Sequence, residues 1–221
     1  MTQWRGFTLG WFAVLAQDAR LLSGLVTSLL IGAGVVVASL ALGLAGALVL
    51  TRLEGRAGGF LYALMVSPIL TPGVILGIGT LVLWREAGVG GGPFLAGVAQ
   101  TTFIASYCML LLMARLQRRD PGLEEAAQDL GAGPFLVFRR ITLPFLAPSI
   151  GTAAVIAFLQ SVENYNTTVF AIGGSHTLVT EIGARFRFGL SPVVNAVGVL
   201  FLVATVVAAS LWVVLRRRER R

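Results

Sequence analysis

An all-α integral membrane protein is the fold class this chain predicts, on three observations. It is 56% hydrophobic and only 12% charged over 221 residues, whereas a soluble domain carries about 25% charged residues. Its apolar residues fall in long unbroken runs, unlike the ~10-residue alternating segments of a β-barrel. One structured polar stretch, 115–146, separates two of those runs. Mean hydropathy is +0.85. Roughly 20 apolar residues cross a bilayer core as a helix, so the length allows about five or six spans.

The first twenty residues read as an external interfacial segment. Phe7, Trp11 and Leu15 recur at i, i+4 and i+8, which suits a short helix on the membrane surface with Trp4 and Trp11 at headgroup level. The alternative is a frayed polar tail. Met1 to Gly6 lacks the short apolar core and small-residue site of a removable signal peptide.

Five spans follow, over about 21–50, 60–83, 94–114, 147–172 and 193–215. Arg52, Glu54 and Arg56 end the first; Arg85 and Glu86 end the second; Arg115, Arg118 and Arg119 end the third. Gly88 to Pro93 reads as a turn. Inside the second span, Ser67-Pro68 and Thr71-Pro72-Gly73 break helical hydrogen bonding. A membrane tolerates this where neighbours or a water-filled cavity satisfy the freed carbonyls. The pair is either a packing kink or a helix shaped to line a path.

The net charge is +7, and all 17 cationic residues are arginine. Twelve gather on one side of the predicted spans and five on the other, which places the richer side, with the C-terminus and the polar stretch, in the cytoplasm. No basic patch lies in a soluble domain, so nucleic acid is not an expected partner. The lone Cys108 cannot form an internal disulfide and reads as a buried small hydrophobe. No span carries a paired Ser/His, two-Asp or metal-ligand set; no catalytic or metal residue is expected.

The polar stretch reads as two short helices with a tight elbow. Asp120 caps the first, Pro121 takes its first position, and Glu124 and Glu125 lie near the positive end of its dipole. Ala126 and Ala127 favour helix, and Gly131 suits a left-handed stop. After Gly133-Pro134 a second helix is expected from Phe135 to about Leu143, stopped by Pro144. An ordinary polar loop would explain the charge but not this order of caps and stops.

Glu125-Ala126-Ala127, then Gly131 after three residues, then Ile141-Thr142-Leu143-Pro144 after nine, resembles the EAA motif of ABC-importer permeases. Phe7 to Phe12, Asp120 to Pro148 and Gly189 to Ala196 are similar to the second permease subunit of spermidine/putrescine-type importers. The resemblance covers nearly the whole chain. It implies a type I ABC importer permease fold in a bacterial inner membrane, with a coupling helix that docks on an ATPase dimer. Glu124, Glu125, Ala126, Ala127, Gly131, Ile141, Leu143 and Pro144 would serve that coupling. A second homologous permease subunit, an extracytoplasmic substrate-binding protein and membrane lipid are the other implied partners. ATP and Mg would be bound by the ATPase; this chain has no lysine for a phosphate-binding loop and no cofactor of its own. Family members usually begin with one more helix, so this chain is expected to be a five-span form or to have its start assigned too late.

The fourth span carries Gln160 to Thr168, with one carboxylate. A charge at mid-membrane costs roughly 2.5–3.5 kcal/mol on insertion scales and usually faces a path or a partner. Glu163, Asn164, Tyr165 and Asn166 are therefore the expected translocation-path residues, and a carboxylate near an aromatic ring suits ammonium groups. The alternatives are that Glu163 pairs with an arginine of a partner subunit, or lies at the outer interface. On a regular helix Glu163 and Tyr165 could not share a face, but Asn-Tyr-Asn-Thr is also a candidate for local unwinding. His176 reads as a solvated outer-loop residue; Glu181, Arg185, Phe186 and Arg187 either touch a binding protein or are simply hydrated.

The expected function is ATP-driven import of a small solute, a polyamine in particular. The alternatives are a same-family importer of an aminophosphonate, thiamine or ferric iron, or a non-transporting membrane anchor for an ATPase.

Overall fold

The computed structural model describes residues 8–53, 55–120, 122–188 and 192–203, and among them every regular element is helical. A short helix α1 (Gly10–Gln17) meets α2 (Ala19–Leu50) at a corner where the Asp18 carboxylate accepts the Leu21 N–H at 3.1 Å. That bond satisfies one of the orphan donors that open a helix. The buried face of α2 recurs as Leu21, Gly24, Ser28, Ile31, Val35, Ser39, Gly43 and Gly46, a single helical stripe of mainly small side chains. Small residues let membrane helices approach closely. A methyl group built on Gly43 would fall 2.7 Å from Cβ of Cys108 on α5 (Pro93–Leu116). Cys108 is buried in that seam, as expected.

The stretch expected as one span over 60–83 is two helices. α3 (Gly55–Leu70) and α4 (Gly73–Glu86) meet at 106°. Pro68 and Pro72 have no N–H to give; a local hydroxyl covers Leu64 O, which Pro68 frees, and the Thr71 N–H covers Pro68 O at 3.3 Å, which Pro72 frees. Ser67 Oγ donates to Leu64 O at 2.8 Å, and Thr71 Oγ1 donates to Ser67 O at 3.0 Å. With those carbonyls satisfied, the chain can turn sharply inside an apolar layer.

Helix α5 is central, packed against α2, α3, α4 and α8. After it come α6 (Gly122–Asp129) and α7 (Pro134–Val137), then a widened π turn over Phe138–Thr142 and α8 (Leu143–Val162). The expected stop at Pro144 does not occur: the helical path runs on from Pro134 to Val162. The Leu143 N–H reaches back five residues to Phe138 O. This wider turn changes the carbonyl spacing just where the proline ring would meet a regular preceding turn.

The fourth expected span, 147–172, also ends early. α8 stops at Val162, residues 163–167 leave the helix, and α9 (Thr168–Ala171) is a single turn. α10 (Leu178–Phe188) and α11 (Pro192–Val203) complete the described part. Among the described residues three helices, Ala19–Leu50, Pro93–Leu116 and Pro134–Val162, are long and apolar enough to cross a membrane, and the bent α3–α4 pair makes a fourth if taken as one. The rest of the fifth expected span, with the C-terminal arginines, and Trp4 and Phe7 lie outside the described residues.

The core runs the length of the bundle. Ile31, Val35, Leu95, Ile104 and Ala157 fill its middle, and Ala47, Met109, Leu112 and Leu146 fill the end nearest α6. Leu15, Leu21, Leu178 and Val197 fill the opposite end, so α1 is docked on the bundle through Leu15. At that far end the turns after α4 and α9 touch backbone to backbone. The Gly92 N–H donates to Ala171 O at 2.9 Å, and a methyl group on Gly91 would fall 2.8 Å from Cα of Gly173.

Candidate functional site

The expected site residues fall mainly in two polar places of the described bundle. The first is the elbow formed by α6, α7 and the π turn. Asp120 Oδ1 accepts the Gly122 N–H at 2.9 Å and opens α6; Pro121 lies outside the described residues. Gly131 closes it with φ +85, its N–H on Gln128 O at 2.8 Å and that of Ala132 on Ala127 O at 2.9 Å. These are the two bonds of a left-handed helix stop, where a side chain would be strained.

Glu124 does not stand on the outer face with the other expected coupling residues. Its Oε1 accepts from Arg119 in the turn after α5 and from Thr142 in the π turn. The carboxylate therefore ties α6 to both neighbouring helices, and only 12% of the side chain is exposed. Arg115 makes a second tie, with Nε donating to Phe145 O at 3.4 Å and its guanidinium 4.1 Å from the Phe145 ring centroid. Glu125 and Ala126 are exposed, Ala127 is half-buried, and Gly131 sits at the tip. Ile141 and Leu143 are half-buried and Pro144 is exposed. Leu130 (89% exposed) and Phe135 (76%) extend this surface. Their apolar type in a polar segment was the available signal, and sequence reasoning did not use it.

The second place is a cavity of ≈ 330 Å³ at the α3–α4 bend. Pro68, Thr71, Gly73 and Leu76 form one side, Phe103 and Tyr107 of α5 a second, and Gln160 with Glu163, Asn164, Tyr165, Asn166 and Thr167 a third. All four expected path residues thus face one space, together with the proline break singled out in the same connection. Unwinding is what permits this: off the helix, Glu163 and Tyr165 reach the same wall. Asn164 holds the unwound segment, its Oδ1 accepting the N–H groups of Thr167 (3.1 Å) and Thr168 (3.3 Å). Gly73 and Gly77 let α4 lie directly on Thr167; a methyl group on Gly77 would fall 2.5 Å from Thr167 O.

Chemically the wall combines a carboxylate, side-chain amides and aromatic rings. Phe103 and Tyr107 pack edge to face, with centroids 6.4 Å apart. Among the described residues Glu163 is the one charged group lining the cavity. Such a wall can hold an ammonium group by charge, hydrogen bonds and ring faces together.

At the far end, Glu181 and Arg185 are not free to meet a partner. Arg185 donates to both carboxylate oxygens of Asp18, at 2.5 and 2.9 Å, and to Glu181 at 2.9 Å; Arg20 lies 3.6 Å from Glu181. The Arg185 hydrogen bond holds the Asp18 carboxyl down at about 2. His176 is also engaged, with Nε2–H donating to Arg20 O at 3.0 Å. Phe186 and Arg187 remain outward, and Arg187 Nη2 donates to the Tyr165 hydroxyl at 3.4 Å.

Known proteins share this architecture. A family described as binding-protein-dependent transport system inner membrane component matches residues 31–221. The putrescine transport system permease protein PotI of Escherichia coli (strain K12) is 33% identical over 230 residues, spanning 100% of this chain and 82% of the relative. The spermidine/putrescine transport system permease protein PotC of the same strain is 28% identical over 205 residues, spanning 92% and 78%. Among solved structures, an amino acid ABC transporter with histidines superposes with a TM-score of 0.68 at 18% identity, over 96% of this chain and 100% of that one. A bacterial alginate ABC transporter in complex with an alginate pentasaccharide-bound periplasmic protein gives 0.69 at 17%, over 91% and 80%.

Proposed function

Because the chain belongs to the binding-protein-dependent transport system inner membrane components, as an ABC importer permease subunit rather than an enzyme, we propose that it carries a small organic polycation of the putrescine or spermidine class. The observation that carries this reading is the cavity at the α3–α4 bend, where Glu163 stands among aromatic rings and amides and, among the described residues, no arginine lines the wall. The two relatives named for polyamine transport support the same cargo class.

The elbow is the second part of the proposal. Glu125, Ala126, Ala127 and the tip at Gly131 offer an outward surface, flanked by exposed Leu130 and Phe135. An ATPase pair, with its ATP and magnesium ion, docks there on the cytoplasmic side. Glu124 ties α6 to Arg119 just past α5 and to Thr142 just before α8, and Arg115 ties α5 to α8, so movement of the docked partner is passed to the spans as rigid-body motion. A second homologous permease subunit completes the path, and an extracytoplasmic binding protein delivers cargo at the far end. The C-terminus then lies in the cytoplasm, with 1–20 as the external segment and 115–146 as the coupling loop.

The test is ATP-driven uptake of radiolabelled putrescine and spermidine into vesicles holding the whole complex and its binding protein. Saturable uptake that Glu163→Gln weakens is the expected result. Uptake of neither polyamine, or uptake indifferent to Glu163→Gln, overturns the cargo and path assignment.

A further inference from the structure

Gln100 is a full amide on α5 with 1% of its surface exposed, inside a helix apolar enough to cross a membrane. An unpaired amide at such a depth is costly, so its partners are informative. Its Oε1 accepts from Ser161 Oγ at 2.5 Å, and its Nε2 donates to Thr168 Oγ1 at 2.7 Å. Thr168 passes its own proton to Asn164 Oδ1 at 3.2 Å. Each hydroxyl gives its single proton once, so the chain Ser161 to Gln100 to Thr168 to Asn164 runs in one direction and fixes the amide orientation.

The placement of the two partners is the decisive point. Ser161 belongs to the last turn of α8 and Thr168 opens α9, so they stand on either side of the unwound segment 163–167. One side chain from a third helix therefore bridges both lips of the break. Gln100 itself does not line the cavity; Glu163, Tyr165 and Asn166, which do, sit between the lips it joins.

We propose that Gln100 is a positioning residue for cargo handling: it staples the two lips of the α8–α9 break and so sets where Glu163, Tyr165 and Asn166 stand in the cavity. This inference rests on reading the cavity as the cargo path. With both bonds removed, the segment loses its fixed width and the carboxylate its fixed place. Cargo recognition suffers before assembly does.

The experiment compares Gln100→Leu, which removes both bonds, with Ser161→Ala, which frees one lip, in the assembled complex. Two quantities are read: the cargo concentration giving half-maximal uptake, and the rate of thiol labelling in an Asn166→Cys background. The natural thiol, Cys108, is buried and contributes little labelling. The expected result is a half-saturating concentration raised several-fold and a labelling rate altered at least fivefold by Gln100→Leu. Smaller shifts of the same sign are expected for Ser161→Ala, at unchanged yield of complex. Should Gln100→Leu fail to assemble, the same two shifts in Ser161→Ala carry the test. Maximal uptake that falls only in proportion to yield, with half-saturation and labelling unmoved, overturns the staple. If Glu163→Gln impairs uptake in the same series, that failure belongs to the staple alone. If Glu163→Gln is also silent, the cavity is not the path and the inference falls with it.

Discussion

Gly183 on α10 lies so close to the ring of Tyr165 that a methyl group built on it would fall 2.4 Å from Cε2 and 3.1 Å from Cζ. The same ring lines the cavity, and its hydroxyl accepts from Arg187 one turn further along α10. The far-end helix therefore presses directly on a wall of the proposed path. Gly183→Ala must displace the Tyr165 ring toward the cavity, because α10 is itself held by the Asp18–Arg185 pair. Uptake is expected to fall several-fold while ATPase co-purification stays unchanged. Wild-type uptake would show that the ring can shift without consequence.

Glu163→Gln keeps the size of the side chain and removes its charge. For a cargo carrying ammonium groups, the loss is expected to raise half-saturation or lower uptake about tenfold, equivalent to ~1.4 kcal/mol. Uptake at graded cargo concentrations measures it.

Two adjacent glutamates should behave differently. Glu124→Ala removes the acceptor shared by Arg119 and Thr142, and Nε of Arg119 is already buried without a partner. A stability loss of about 1–3 kcal/mol is expected, seen as a lower unfolding midpoint in detergent together with weaker ATPase retention. Glu125→Ala, on the exposed face, should weaken ATPase retention and leave the midpoint where it was. Equal effects from the two variants would contradict the inward placement of Glu124.

Asp18 makes stability at acid pH predictable in sign. Its carboxyl is held at about 2, below the ordinary 3.8, first by the Arg185 hydrogen bond. The stabilisation is whole above about pH 4 and is lost as pH falls through about 2. Solvent screening limits it to roughly 1 kcal/mol. Asp18→Asn should therefore lower the unfolding midpoint at pH 7 but hardly at all near pH 2. A difference that stays constant across that window would show that the ion pair contributes nothing.

Much of the site could be read from residue types alone, because membranes punish polar groups and helix breakers so heavily. Glu163 in an apolar run and two prolines inside a span each announce an exception, and Glu163 and Pro68 meet in one cavity. Asp120 and Gly131 mark the ends of α6 by local bonding that depends on a few neighbours only. Other features rest on geometry between distant parts. Two prolines specify that carbonyls go free but not a 106° turn, which depends on the Ser67 hydroxyl and the Thr71 N–H taking them up. Pro144 reads as a stop unless the preceding turn widens, and no residue in Phe138–Thr142 signals that. Gln100 looks like one more polar residue beside Thr101 and Thr102 until Ser161 and Thr168 are seen on either side of it. The pairing of Asp18 with Arg185 links residues 167 apart in sequence.

The contact between Gly91 and Gly173 ties the fates of two turns that the sequence keeps 82 positions apart. Each occupies the space a Cβ of the other would need, and Gly173 adds a φ of +63. A lone mutation at either place wedges the turns open, and a matching change across the contact cannot relieve it, since any second side chain only adds bulk. Evolution is left with keeping both hydrogens or rebuilding both turns at once.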